Sequence, residues 1–168
     1  TKTTFGIWLD GVSGARIENT TIVGRDSVEP RSYRGNGIQV FKSDGVTIVD
    51  NRITDTRDGI YYSWASEVTA RNNTLWDLRY GVHYMYSDDC TLVDNVAFDN
   101  DAGYAIMLSE YIRVVDNVAV NNSGTSAHGI FLKRIDHSVV EGNEVVGNGN
   151  GLYVFNSVNN TLTGNLVL

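Results

Sequence analysis

Glycine followed by an apolar or aromatic residue recurs along this chain at Gly6, Gly37, Gly59, Gly81, Gly103, Gly129 and Gly151, at intervals of 31, 22, 22, 22, 26 and 22 residues. Fourteen positions after six of these glycines stands an asparagine, at Asn51, Asn73, Asn95, Asn117, Asn143 and Asn165, with Thr20 in the matching place of the first unit. A fixed period of this length marks a supersecondary unit that cannot bury its own apolar side chains and is stable only when stacked on copies of itself. Each unit reads Gly-apolar-x-apolar, then a turn, then an apolar residue eleven positions after the Gly (Ile48, Leu92, Val114, Val140, Leu162), then the Asn and a third apolar stretch. Three short strands per unit without helical periodicity predict an all-β fold, a right-handed parallel β-helix of about seven coils with roughly 22 residues in each. The expectation is one β-helix domain over residues 1–168, a piece of a longer solenoid.

Stacking turns equivalent positions into columns, and the six asparagines form one of them. The column predicts a structural ladder in which each amide bonds a tight turn and the asparagine of the next coil. Two units are longer than the rest. The segment "RDSVEPRSYRGN" (25–36) lies before Gly37 and "SGTSAH" (123–128) before Gly129, so both insertions are expected to bulge from the same edge of the solenoid.

Charge and composition exclude some functions. A net charge of -7 repels phosphate backbones and argues against a nucleic-acid partner. No stretch has the roughly 18 apolar residues of a membrane span. Cys90 is the only cysteine, so no internal disulfide forms, and its column with Val46, Val68 and Ile112 marks it as a core residue. The chain opens without a charged-then-apolar leader, as a mature or excised piece would.

Alternation along the first strand of each coil separates core from surface. Positions one and three after the Gly, such as Val82 and Tyr84, belong to the core. Positions two and four are read as outward: Trp8, Gln39, Tyr61, His83, Ala105, Phe131 and Tyr153, then Asp10, Phe41, Ser63, Met85, Met107, Lys133 and Phe155. An aromatic strip holding both methionines predicts a contact surface. Within it His83 and Met85 are two residues apart and Met107 is one coil away, a spacing at which an imidazole and two thioethers can meet as a candidate metal site. Those ligand types suit copper, Cu(I) in particular. The competing reading is structural, with methionine filling gaps and histidine forming hydrogen bonds. A third reading is a carbohydrate surface: Tyr61, Trp64, Trp76 and Tyr86 to stack on sugars, with Arg57, Arg79, Asp58 and Asp77 to handle uronate charge. Phe131 and His128 extend the candidate ligand-contact surface. Acid/base catalysis needs a paired set of groups, and strict alternation shows no tight acidic cluster on the outward strip.

The runs "RYGVHYMYSDD" (79–89), "GYAIMLS" (103–109), "GIFLKRIDHSVVEGN" (129–143) and "GLYVFNSVNNTLTGN" (151–165) resemble the NosD family. The resemblance is strongest from Arg79 to Asn165. It implies a non-catalytic, extracytoplasmic (periplasmic or cell-surface) accessory protein that receives copper and passes it on, with His83, Met85 and Met107 as metal ligands. The partners it implies are ABC transporter subunits, a copper chaperone and nitrous oxide reductase, whose copper centres are matured. The alternatives are a polysaccharide-binding or polysaccharide-modifying β-helix, of the lyase or epimerase kind, and a purely structural surface repeat.

Overall fold

A computed structural model of the protein describes residues 5–168. Three parallel sheets of seven strands each run the length of a β-solenoid. The first sheet holds Ile7–Asp10, Ile38–Phe41, Asp58–Ser63, Tyr80–Met85, Ala102–Glu110, His128–Asp136 and Asn150–Phe155. The second runs from Arg16–Glu18 to Thr161–Thr163 and the third from Thr21–Val23 to Leu166–Val167, in strands of two or three residues. Each strand pairs with its equivalent one coil away, so Val82 lies between Ile60 and Tyr104, and Leu92 between Ala70 and Val114. The three sheets enclose a core in which Ile38, Ile60, Tyr62, Val82, Tyr84, Tyr104 and Ile106 are fully buried. Cys90 is buried among them, and burial pushes its thiol up to about 12, which keeps it protonated at neutral pH. Among the described residues no helix is long and apolar enough to cross a membrane.

The corners carry polar ladders. In the asparagine column each Nδ2 donates to the Oδ1 of the next coil, Asn51 to Asn73 at 2.9 Å, Asn73 to Asn95 at 2.8 Å, Asn95 to Asn117 at 2.9 Å, Asn117 to Asn143 at 3.1 Å and Asn143 to Asn165 at 2.8 Å. Each Oδ1 also accepts the backbone N–H of the preceding asparagine, and each Nδ2 donates to a carbonyl of the preceding coil, as Asn95 does to Ala70. One side chain thus satisfies backbone groups on two coils that the turn would otherwise leave bare. A second ladder, at Asn100, Asn122 and Asn148, works the same way at the corner leading back to the first sheet. The residues just before the ladder asparagines, Asp50, Asn72, Asp94 and Asp116, adopt left-handed backbone, which short polar residues tolerate well.

The glycine column has a steric cause. A Cβ on Gly81 would lie 2.6 Å from the carbonyl oxygen of Gly103 and 2.9 Å from Cβ of Ala97; on Gly59 it would meet the oxygen of Gly81 at 2.6 Å and Leu78 at 2.9 Å. These are core-side contacts, so the glycine and the apolar residue after it both face inward. Strict alternation fails at that step. The residue before the glycine therefore emerges on the outer face, together with the residue two after it.

Both insertions lie on the edge where the third sheet turns into the first. The first contains a short 3-10 turn, Arg31–Tyr33, and Arg31 reaches across to the carbonyl of Leu78 (3.2 Å) and to Asp101 (3.1 Å). Within it Arg34, almost fully buried, donates to the carbonyls of Asp26, Val28 and Asp55 and pairs with Glu29, which closes the loop on itself. The second insertion brings Ser126 to 3.3 Å from the Tyr80 hydroxyl. His128, read from the sequence as part of that insertion, instead opens the strand His128–Asp136.

Replacing Asn95 by Ala leaves the buried N–H of Asn73 without its side-chain acceptor and removes the bond to the carbonyl of Ala70, and is expected to lower the unfolding free energy by about 3 kcal/mol in a urea titration. A loss below about 1 kcal/mol contradicts the ladder's stabilising role.

Candidate functional site

From Gly37 onward the residue preceding each column glycine runs Asn36, Asp58, Tyr80, Ala102, His128 and Asn150, and the residue two after it runs Gln39, Tyr61, His83, Ala105, Phe131 and Tyr153. The shared outer face makes these columns neighbours. Asn36 donates to Gln39 at 2.7 Å, and the rings of Tyr80 and His83 meet edge to face at 5.1 Å. His128 packs on Phe131 at 5.0 Å and stacks on Tyr153 at 4.9 Å.

At the centre of this face lies Asp58, with no exposed surface. Arg79 grips it with two bonds, Nε to Oδ1 at 2.8 Å and Nη2 to Oδ2 at 2.7 Å, and Nδ1 of His83 sits 3.1 Å from Oδ2. Arg57 stands 3.9 Å from the same oxygen and donates to Asn36. Burial alone would raise the Asp58 pKa, but the hydrogen bonds from His83 and Arg79 outweigh it and hold the carboxyl below its ordinary value. Two aromatic rings pack against the imidazole, Tyr61 tilted at 4.8 Å and Tyr80 edge to face at 5.1 Å. Nε2 of His83 is buried and has no hydrogen-bond partner among the described residues.

The register places Met85 directly opposite Met107, with strands about 4.8 Å apart. His83 and Met85 are alternate residues of one strand, so their side chains leave the same face about 7 Å apart. The Tyr61 hydroxyl donates to Sδ of Met85 at 3.5 Å, which ties the imidazole wall to the thioether. Both methionines are half-buried.

The sequence expectation needs correction on exposure. Strict alternation predicts a solvent-facing apolar strip, yet Gln39, His83 and Ala105 are 5%, 7% and 0% exposed. The reason is the broken alternation at glycine. Asp58 and Tyr80 rise on the same face and, with Tyr61, close over the histidine.

The candidate contact residues also fall into separate groups. Tyr61 belongs to the His83 cluster. Trp64 and Tyr86 stack at 4.5 Å on the exposed corner leaving the first sheet, each in left-handed backbone that bulky residues seldom adopt. Phe131 and His128 form the third group, packed with Tyr153. Asp77 contacts Arg31 at 4.0 Å, away from the histidine. Among the described residues no three His, Cys, Asp or Glu side chains gather as a metal-ligand group.

Asp58 ionises more readily in the folded chain than at its ordinary value of 3.8, so its charge stabilises the fold above about pH 4 and that contribution is lost as pH falls through the lower folded value. Asp58→Asn is therefore expected to be less stable than the wild type at pH 7 in urea titrations, with the gap narrowing below about pH 4. An equal gap at both pH values contradicts the assignment of the charge.

Comparison with known proteins gives the site a context. A family model described as NosD, periplasmic copper-binding protein, matches residues 13–168. A curated relative from Pseudomonas aeruginosa, named a probable ABC transporter binding protein NosD, is 40% identical over 55 residues, which cover 33% of this chain and 13% of the relative. Among solved structures, PfbA, a surface adhesin of Streptococcus pneumoniae, superposes with a TM-score of 0.63 at 15% identity, covering 95% of this chain and 58% of that one. A periplasmic alginate epimerase, AlgG, crystallised as a point mutant, gives 0.60 at 18% identity, covering 98% and 48%. Likenesses at this identity speak to the solenoid alone, and the chain spans about half of these two structures and about an eighth of the curated relative. The family match over residues 13–168 is of another kind, and by it the chain belongs to the NosD family, described as periplasmic copper-binding proteins.

Proposed function

We propose that this solenoid carries copper as cargo, held as Cu(I) by Nε2 of His83 and the thioethers of Met85 and Met107. The observation that carries the reading is the Nε2 atom itself. A buried nitrogen with no partner costs about 1–3 kcal/mol, and a bound ion removes that cost. Two thioethers leaving the same face supply soft ligands, and a neutral imidazole with two sulfurs suits a monovalent soft ion better than a hard divalent one. Tyr61 and Tyr80 shield the histidine from water, which slows oxidation of a reduced ion. The half-buried methionines leave an open side through which cargo can be passed on.

The family description supports an extracytoplasmic location and copper binding, and the curated relative's name supports association with an ABC transporter. In this reading the protein takes copper from a chaperone and, with transporter subunits, delivers it for maturation of the copper centres of nitrous oxide reductase. One equivalent of Cu(I) is expected to bind in a competition titration against a chromogenic chelator. The double variant His83→Ala, Met85→Ala is expected to weaken binding at least about 10- to 100-fold, the scale that even outer-shell losses reach. Unchanged affinity excludes these ligands.

The Asp58, His83 and Arg79 network also favours a second reading. A histidine oriented by a buried carboxylate is a general base in form, and Arg57 and Arg79 are cations beside it, as abstraction of a proton next to a uronate carboxylate requires. In this reading the chain binds or modifies an acidic polysaccharide. Incubation of the metal-free protein with alginate and pectate decides it. New unsaturated ends or inverted residues, lost in His83→Ala, support the second reading, and unaltered polymer removes it.

A further inference from the structure

We infer that Asp58, clamped by Arg79, is a positioning residue that fixes the tautomer of His83, so that Nδ1 carries the proton and Nε2 presents a bare lone pair on the face shared with Met85. The inference rests on the copper reading for the use of that lone pair, and on geometry alone for its existence.

An ionised carboxylate only accepts hydrogen bonds. Oδ2 of Asp58 is 3.1 Å from Nδ1 of His83, so Nδ1 must be the donor. A neutral imidazole has one N–H, and with the proton on Nδ1 the other nitrogen is left as an acceptor. Nε2 is that nitrogen, buried and unpartnered. The carboxylate in turn has little freedom to rotate. Arg79 binds both oxygens in the parallel, two-point arrangement that planar guanidinium favours, and the Asp58 backbone N–H lies 3.4 Å from Oδ1 of Asn36.

The fold explains why these three residues meet. Asp58 precedes Gly59, Arg79 lies two residues before Gly81, and His83 lies two after it. Register pairs Asp58 with Tyr80, which brings the carboxylate of one coil under the imidazole of the next. Arg79 also covers the Tyr80 ring at 4.5 Å, so the clamp and the aromatic wall are parts of one assembly. Its positive charge serves a second purpose. It balances the carboxylate, so the pair orients the ring without adding net charge.

The test reads the tautomer without metal. In uniformly 15N-labelled, metal-free protein at alkaline pH, long-range proton–nitrogen correlation is expected to show a protonated Nδ1 and an unprotonated Nε2 for His83. A wild-type ring protonated at Nε2 overturns the inference. In Asp58→Asn the carboxamide can donate or accept, so the single tautomer is expected to give way to a mixture, with Cu(I) affinity falling about 10- to 100-fold. Retention of the wild-type tautomer in Asp58→Asn overturns the positioning role. Arg79→Lys keeps a cation beside an intact carboxylate and is expected to keep the tautomer; its loss in a folded Arg79→Lys protein assigns the positioning to Arg79 instead and overturns the inference as stated. A wild type with the expected tautomer but no Cu(I) binding leaves the positioning intact and removes the copper reading.

Discussion

The structure depends on one constraint: coils about 4.8 Å apart must stay in register while the chain turns three corners in every circuit. Backbone hydrogen bonds between parallel strands fix the spacing, but the strands of the second and third sheets are only two or three residues long. Strands so short leave many turn amides outside the ladders. The buried asparagines answer that need, because one carboxamide accepts from the preceding coil and donates both to that coil and to the next. Once register holds, a residue repeated every 22 positions becomes a column, and chemistry can be assembled from different coils without any long-range loop.

The glycine column is the second consequence of the same packing. Coil-to-coil approach leaves no room for a Cβ at Gly59 or Gly81, and the two successive inward positions there shift the phase of the strand. The shift lifts Asp58 and Tyr80 onto the face of His83. A carboxylate at full burial is costly unless it is paired. Arg79 and His83 supply the pairing, and the aromatic rings of Tyr61 and Tyr80 exclude water from it. Electrostatics and packing therefore meet at one imidazole, whose remaining nitrogen has no hydrogen-bond partner among the described residues.

Much of this was legible in the sequence, for physical reasons. Period and patterning gave the solenoid because every coil must repeat the same solution, and the spacing of His83, Met85 and Met107 follows directly from strand geometry. Asp58 was named there only as a group for uronate charge. Strict alternation counts backward from Val82 and places Tyr80 and Asp58 inside, since nothing in a pattern of two shows that the glycine changes phase. The missed signal was chemical: Asn36, Asp58, Tyr80 and His128 form a column too polar to be core. The second asparagine ladder was missed because its column is incomplete, with Thr56 and Leu78 where earlier coils would carry asparagine. Burial of His83 could not be read at all, because it depends on the size of rings contributed by neighbouring coils.

The central claim is that stacking in register delivers one imidazole and two thioethers to a single soft ion. X-ray absorption at the copper edge of the Cu(I)-loaded protein tests it most directly. The account predicts a low-coordinate reduced ion with one nitrogen and two sulfur neighbours, and loss of a sulfur in Met107→Ala. A copper ion surrounded by nitrogen and oxygen alone, with the same spectrum in Met107→Ala, would contradict it.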